Sequence, residues 1–327
     1  MSDDRPDTTA QCLCNDFVRI TEASALAAGR WMGQGDPEAA DLAAMEAMSD
    51  ALATLPISGT VVIGEGAAAG DALLKVGDKG GAGGRRCDIA VDALEGRDIV
   101  ARGQSGAMSV LAAGSSGKLM SMPNMYMQKL VVGPKAAGRV HIDARVTETL
   151  HTIADIYERP VEEVTVIVLD RPRHEDLIAE IRAAGARSKM IDDGEVTAGI
   201  AVSVEGTNDQ LYIGIGGAAE GVITAVALRC LGGDIQARLW PLSRREVESA
   251  RDHCIEDIET ILRTEDMVDG DAVFAATGVT KGEFLDGVQY LGWGVRTHSM
   301  VMCNHCRDVR FIRTTHLNAD ARSEIQL

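Results

Sequence analysis

The chain has 327 residues, 46% hydrophobic but only 3% aromatic, so aliphatic side chains and Met must fill its core. At roughly 100–200 residues per domain, it is two domains or one large one. Its 32 Lys and Arg against 49 Asp and Glu leave a net charge of −17. That excludes a general nucleic-acid binder, which needs a basic face, but not an anionic substrate held at a local metal site.

The start, MSDDRPDTTAQ, is polar and acidic, without the basic and apolar blocks of a signal peptide. No apolar run reaches the ~18 residues of a membrane span, so the expected compartment is the cytoplasm, with no membrane partner. Phe17, Val18, Ile20, Leu26 and Trp31 predict an amphipathic helix over 12–31. Asp36-Pro37 starts a second helix, capped by Asp36 and running to about Leu55. Its expected buried stripe is Leu42, Met45, Met48, Leu52 and Leu55, with Asp41 at the edge.

Thr60–Ile63 reads as a strand ended by Gly64-Glu65-Gly66. The Gly- and Ala-rich stretch 67–84 reads as loop plus partial helix. Cys87–Asp92 is a strand, with Ile89 and Val91 facing one way and Asp88 and Asp92 the other. Ala107–Ala113 and Leu130–Val132 are further strands. From Val164 strands and helices alternate: strand 164–169, helix 174–184 closed by Gly185, strands 200–204 and 211–215, and helix 222–231. Ser243 to about Arg263 predicts one long charged helix, and strands follow at 272–276, 299–302 and 309–314. The pattern is α/β, with a metal-binding domain over 1–160 and a second α/β domain over 161–327 completing the site.

Four constellations could carry chemistry. Asp41, Glu65, Asp92, Glu95 and Glu220 sit at element ends beside glycines. Such acids either converge on a hard divalent cation or cap ordinary solvated turns. Gly214-Ile215-Gly216-Gly217 before a helix departs from the dinucleotide spacing. It suits a phosphate- or metal-adjacent helix start, or a tight turn. Arg171-Pro172-Arg173-His174 after a strand suits phosphate oxygens, or is a surface basic turn. Asp192-Asp193-Gly194-Glu195 could accept sugar hydroxyls or simply be solvated. Cys303-Asn304-His305-Cys306 has zinc-like spacing but no persuasive second pair, since Cys12-x-Cys14 is too tight. These thiols are therefore expected to be buried or idle.

Taken together, several motifs resemble the class II fructose-1,6-bisphosphatases. They are Val62-Ile63-Gly64-Glu65-Gly66, Asp88 to Gly96, Met125-Tyr126-Met127 with Lys129-Leu130, Arg171-Pro172-Arg173-His174, Gly214 to Gly221, and Ala276 to Gly282. The resemblance runs in order from about Phe17 to Leu317. It implies a layered α+β sugar-phosphatase fold related to the lithium-sensitive phosphatases, Mg²⁺ or Mn²⁺, hydrolysis of the 1-phosphate of fructose 1,6-bisphosphate, and a homo-oligomer. Some members also take sedoheptulose 1,7-bisphosphate. By motif, the metal ligands would be Asp41, Glu65, Asp92, Glu95 and Glu220. The sugar phosphate would meet Glu95, Gly96, Arg97, Tyr126, Arg171, Pro172, Arg173, Asp193, Gly194 and Glu195.

The chain departs from the family's pattern where the attacking water is activated. Arg97 stands in place of the usual Thr, and Ala69 in place of its partner acid; Asp71 and Asp98 are the nearest acids. Pro37 replaces a usual Lys, and Asn124 a usual Asp. Arg97 cannot act as a base and would hold a phosphate or stand in for one metal charge. The expectation is a metal-dependent sugar-bisphosphate phosphatase; the alternative is a degenerate member that only binds a sugar phosphate.

Overall fold

The computed structural model describes residues 13–65, 73–253 and 255–317. Helices α1 (Cys14–Gly29) and α2 (Pro37–Ala53) lead into β1 (Ile57–Ile63), the short β2 (Lys79–Gly80) and β3 (Arg85–Glu95). Next come α3 (Arg97–Ala101), β4 (Met108–Ser115), β5 (Tyr126–Val132), α4 (Val146–Ile156) and β6 (Thr165–Leu169). The middle continues with α5 (Glu175–Ala183), β7 (Arg187–Ile191), α6 (Glu195–Ala201), β8 (Leu211–Gly217), α7 (Ala218–Leu231) and β9 (Asp234–Trp240). The last elements are α8 (Arg244–Asp252), β10 (Leu262–Arg263), α9 (Thr264–Met267), β11 (Ala272–Gly278), β12 (Gln289–Leu291), β13 (Gly294–Cys303) and β14 (Asp308–Leu317).

The strands form two mixed sheets. One runs β12-β13-β11-β4-β3-β1-β2, with β14 also on β13; the other runs β10-β9-β5-β8-β6-β7. Side-chain alternation sorts them into layers. On β4, Leu111 and Ala113 join the core under α1 and α2, while Met108, Val110 and Ala112 face the core around α6 and α7. On β5, Met127 and Val131 face that same inner core, whereas Leu130 and Val132 pack toward α4 and α5. The result is a layered α/β sandwich, helices–sheet–helices–sheet–helices. Each fully buried aliphatic side chain contributes about 1.5–3 kcal/mol, which lets a core so poor in aromatics hold. No described helix is long and apolar enough to cross a membrane.

The start of α2 forms as the sequence predicts: the Asp36 carboxylate accepts from the Ala39 N–H at 2.9 Å and Pro37 takes the first turn. Leu42, however, is exposed, because the buried face of α2 is set by Ala40, Ala44, Met48 and Leu52 one turn apart. Residues 200–204 are not a strand. Helix α6 takes in Ile200 and Ala201 and turns follow at 202–204, with Val196, Ile200 and Ala201 buried against the α7 layer. The long helix expected from Ser243 to Arg263 ends at Asp252. It buries only Ala250, and the chain then turns to bring Ile255 and Leu262 into the inner core. The described part of 67–84 contains no helix. The expected division near residue 160 falls inside the six-stranded sheet, where β5 pairs with β8 and β9.

Candidate active site

The inner face of the eight-stranded sheet meets the N-terminus of α7 and the ends of β5, β6 and β8 in a cleft of about 920 Å³. Its lining includes Asp41, Glu65, Asp92, Glu95 and Glu220, five acids drawn from α2, β3, α7 and the residues just past β1. Asp92 reaches it because Ile89 and Val91 occupy the opposite face of β3. The register of β3 on β4 shifts between Asp92 and Glu95, which aims both acids inward despite their odd spacing. Gly96 follows with φ +92°, a left-handed turn that redirects the chain between Glu95 and Arg97.

These acids are poorly compensated. The Glu65 carboxylate accepts from the Ala93 N–H at 2.7 Å, and Glu95 Oε1 from the Val196 N–H at 2.7 Å. Glu95 Oε2 is buried without a hydrogen-bond partner. Burial, with repulsion from Asp41 and Glu220, pushes the Glu65 carboxyl up to about 7. Burial and neighbouring carboxylates likewise hold Asp92, Glu95 and Glu220 above their ordinary range. Arg97 offsets one of the acids: its Nη1 lies 3.6 Å from Asp41 Oδ2. A cluster of part-buried carboxylate oxygens, one of them buried and orphaned, fits a hard divalent cation, which satisfies what protein donors leave open.

The facing wall is cationic and aromatic. Arg173 donates Nε and Nη2 to the Ile215 carbonyl at 3.0 and 2.8 Å, and its guanidinium lies 4.7 Å from the Tyr126 ring centre. Arg171 donates Nη1 to the Asp170 carbonyl and Nη2 to the Asp192 carbonyl. Below them, buried His174 donates Nδ1–H to the Leu169 carbonyl at 2.8 Å and accepts the Ile215 N–H at Nε2. Burial lowers its pKa, in keeping with a neutral ring that locks β6 to β8. Asp193 lines the cleft, and burial raises its pKa too.

Glu195 is differently placed. Its Oε2 accepts from Lys129 Nζ at 2.5 Å and from the Tyr212 hydroxyl at 2.6 Å; its Oε1 accepts from the Gly217 N–H at 3.0 Å. Burial alone would raise its carboxyl, but Lys129, Tyr212 and the Gly217 N–H together outweigh that and hold it below the ordinary range. Lys129 also donates to the Gly217 carbonyl at 2.7 Å. The carboxylates crowd Gly217 so closely that a Cβ there would stand 1.9 Å from Glu220 Oε2.

The cleft thus gathers Arg97, Tyr126, Arg171, Arg173, Asp193 and Glu195 with the five acids, and Gly96 beside them. Pro172 instead opens a single turn of 3₁₀ helix, and Gly194 starts α6 and borders a neighbouring groove. Ala69 and Asp71 lie outside the described residues. Lys129 and Tyr212 are the organising residues that sequence reasoning left without a role. The available signal was a lysine inside an otherwise apolar strand, in phase with Met127 and Val131, where a buried cation demands an anion.

Residues 11–316 match the family described as bacterial fructose-1,6-bisphosphatase, glpX-encoded. Among curated proteins, the chain is 40% identical to a protein of Synechococcus sp. named D-fructose 1,6-bisphosphatase class 2/sedoheptulose 1,7-bisphosphatase, with 92% of this chain and 94% of that one covered. Proteins of the same name from Synechocystis sp. and Crocosphaera subtropica are 38% and 37% identical, each over 92% of this chain and 95% of theirs. The chain belongs to the bacterial, glpX-encoded fructose-1,6-bisphosphatase family.

Proposed function

We propose that the protein removes one phosphate from a sugar bisphosphate, the 1-phosphate of fructose 1,6-bisphosphate or the equivalent ester of sedoheptulose 1,7-bisphosphate, using Mg²⁺ or Mn²⁺. What carries the reading is one cleft with an uncompensated carboxylate wall facing an arginine and tyrosine wall. Asp41, Glu65, Asp92, Glu95 and Glu220 would hold the cation, which supplies Lewis acidity and an activated water when bound. Arg171, Arg173 and Tyr126 bind the phosphate that stays on the sugar, and Asp193 accepts sugar hydroxyls. The N-terminus of α7 adds partial positive charge beside the reacting phosphate. Arg97 neutralises Asp41 and the phosphoryl oxygens without accepting a proton. Self-association finds support in β14, which pairs only with β13 among the described strands and exposes Val309 and Phe311.

The test is phosphate release from a panel of sugar bisphosphates with Mg²⁺ and Mn²⁺. Release from one ketose bisphosphate supports the reading; release from none overturns it. Because Arg97 and Ala69 offer no base, turnover is expected to be slow, since a positioned general base is worth about 10²–10⁴ in rate. Arg97→Thr combined with Ala69→Asp should raise turnover more than the two single changes together, because hydroxyl and carboxylate act as a unit.

A further inference from the structure

A second cluster of ligating side chains lies away from the cleft. The Sγ atoms of Cys14, Cys303 and Cys306 all stand within 4.8 Å of one another. In sequence the C-x-x-C pair has no persuasive second pair; the fold brings Cys14, nearly 290 residues away, beside it. Cys14 opens α1, and the pair frames the turn joining β13 to β14. Both Cys14 and Cys303 are buried, and Cys306 is half-buried.

The turn is built for ligation. The Cys306 N–H points at Cys303 Sγ, 3.4 Å away, a donor that stabilises negative charge on sulfur. Asn304 pins the turn to β11: its Oδ1 accepts from the Ala272 N–H at 2.8 Å, and its Nδ2 donates to the Gly270 carbonyl at 2.9 Å. Arg310 directs Nη1 at both Cys14 Sγ, 3.6 Å away, and Asn15 Oδ1. A guanidinium beside a thiol favours the thiolate.

We propose that Cys14, Cys303 and Cys306 form a structural thiolate site for a borderline-soft divalent cation, Zn²⁺. Tetrahedral zinc with Zn–S bonds of ~2.3 Å places its sulfurs ~3.8 Å apart, and three thiols already this close need only a small contraction. A disulfide would use two of the sulfurs and leave the third, whereas a metal takes all three. Each thiol gives up its proton to solvent as it binds, and no electron is transferred. The fourth position falls to water.

The site is structural. Cys303 pairs with Val273, Val273 with Ala113 and Ala113 with Ile89, three residues before Asp92 on β3. Cys14 and Cys303 belong to the core under α1 and α2, on the sheet face opposite Asp92. The metal would tie the first turn of α1 to the hairpin at the far end of the chain.

The experiment measures zinc bound to the full-length protein from zinc-supplemented cells, after gel filtration. About one zinc per chain is expected in the unmodified protein, retained in Asp92→Asn and lost in Cys303→Ser and in Cys306→Ser. The zinc-free variants should melt at lower temperature. As a check independent of the variants, Co²⁺ exchanged into the unmodified protein should show thiolate-to-cobalt charge-transfer absorption. No zinc in the unmodified protein, zinc kept by both cysteine variants, or cobalt spectra lacking thiolate character would overturn the assignment.

Discussion

Glu95 and Glu195 reach the same cleft from neighbouring turns, the first accepting the N–H of the residue that follows the second. Their electrostatics are opposite. Glu195 has a buried ammonium, a phenol and a backbone N–H, and its carboxyl is held below the ordinary range. Glu95 has one N–H, an orphaned oxygen and carboxylates on several sides, and its carboxyl is pushed well up. Folding neutralises one group internally and leaves the other for something that arrives later. The contrast separates scaffold from site better than residue type does, since both are buried glutamates beside glycines.

The sharpest way to break the comparison is Lys129→Met. It leaves Glu195 buried without its cation, and denaturant unfolding should report a loss of about 3–5 kcal/mol. Adding Glu195→Gln should return part of that loss, because the charge that needed Lys129 is gone. A loss below about 1 kcal/mol would mean that water, not lysine, compensates Glu195.

On the uncompensated side the sign reverses. Asp92→Asn removes one of several repelling carboxylates, so the metal-free protein should be no less stable. The same change should abolish the rise in melting temperature caused by Mn²⁺, which at a hundredfold excess over Kd amounts to about 2.7 kcal/mol. A preserved Mn²⁺ shift would place the cation elsewhere.

Arg173→Ala tests the opposite wall. It should weaken binding of a sugar bisphosphate by about 1.5–3 kcal/mol, the scale of a hydrogen bond to a charged group. Unchanged affinity by titration calorimetry would make the Arg173–Tyr126 stack a surface ornament rather than a phosphate site.

The smallest effect is in pH. The Glu65 carboxyl is raised in the folded state to about 7, by burial first and then by Asp41 and Glu220. Below the unfolded value the proton is bound in both states, and this group's contribution to stability is fully present. As pH rises toward 7 the unfolded chain has lost that proton while the folded one keeps it, so stability of the metal-free protein declines across that window. A divalent cation displaces the proton, so its stabilising effect should grow from pH 5.5 to pH 8 in thermal melts. A metal shift independent of pH would put Glu65 outside the ligand set.

Much of this was legible beforehand for local reasons. The Asp36 cap, the two-sided pattern of β3 and the glycine turn after Glu95 are short-range features, and they place acids at element ends. What escaped depended on tertiary context. Residues 200–204 carry β-branched side chains that suit a strand, but Ile200 and Ala201 end α6 beneath α7 and the rest turn away from it. Leu42 has the right spacing for a stripe whose phase is set instead by the buried Ala40 and Ala44. The Lys129–Glu195 pair spans 66 residues, and the three thiols span almost the whole chain, so neither shows in any local window.

The pairing of β4 with β11 has a consequence for how the molecule comes into being. Residues 108–114 have residues 272–278 as their neighbours, so the centre of the eight-stranded sheet is closed only by a stretch of chain synthesised long after β4. Until then β4 presents an open apolar edge, the kind that recruits strands from other molecules. The carboxylate wall likewise waits for Glu220. A nascent or C-terminally truncated chain would therefore not be a slightly weaker enzyme. It would lack a sheet interior and show a sticky edge in its place, and the protein's yield in cells should depend on how quickly β11 follows β4.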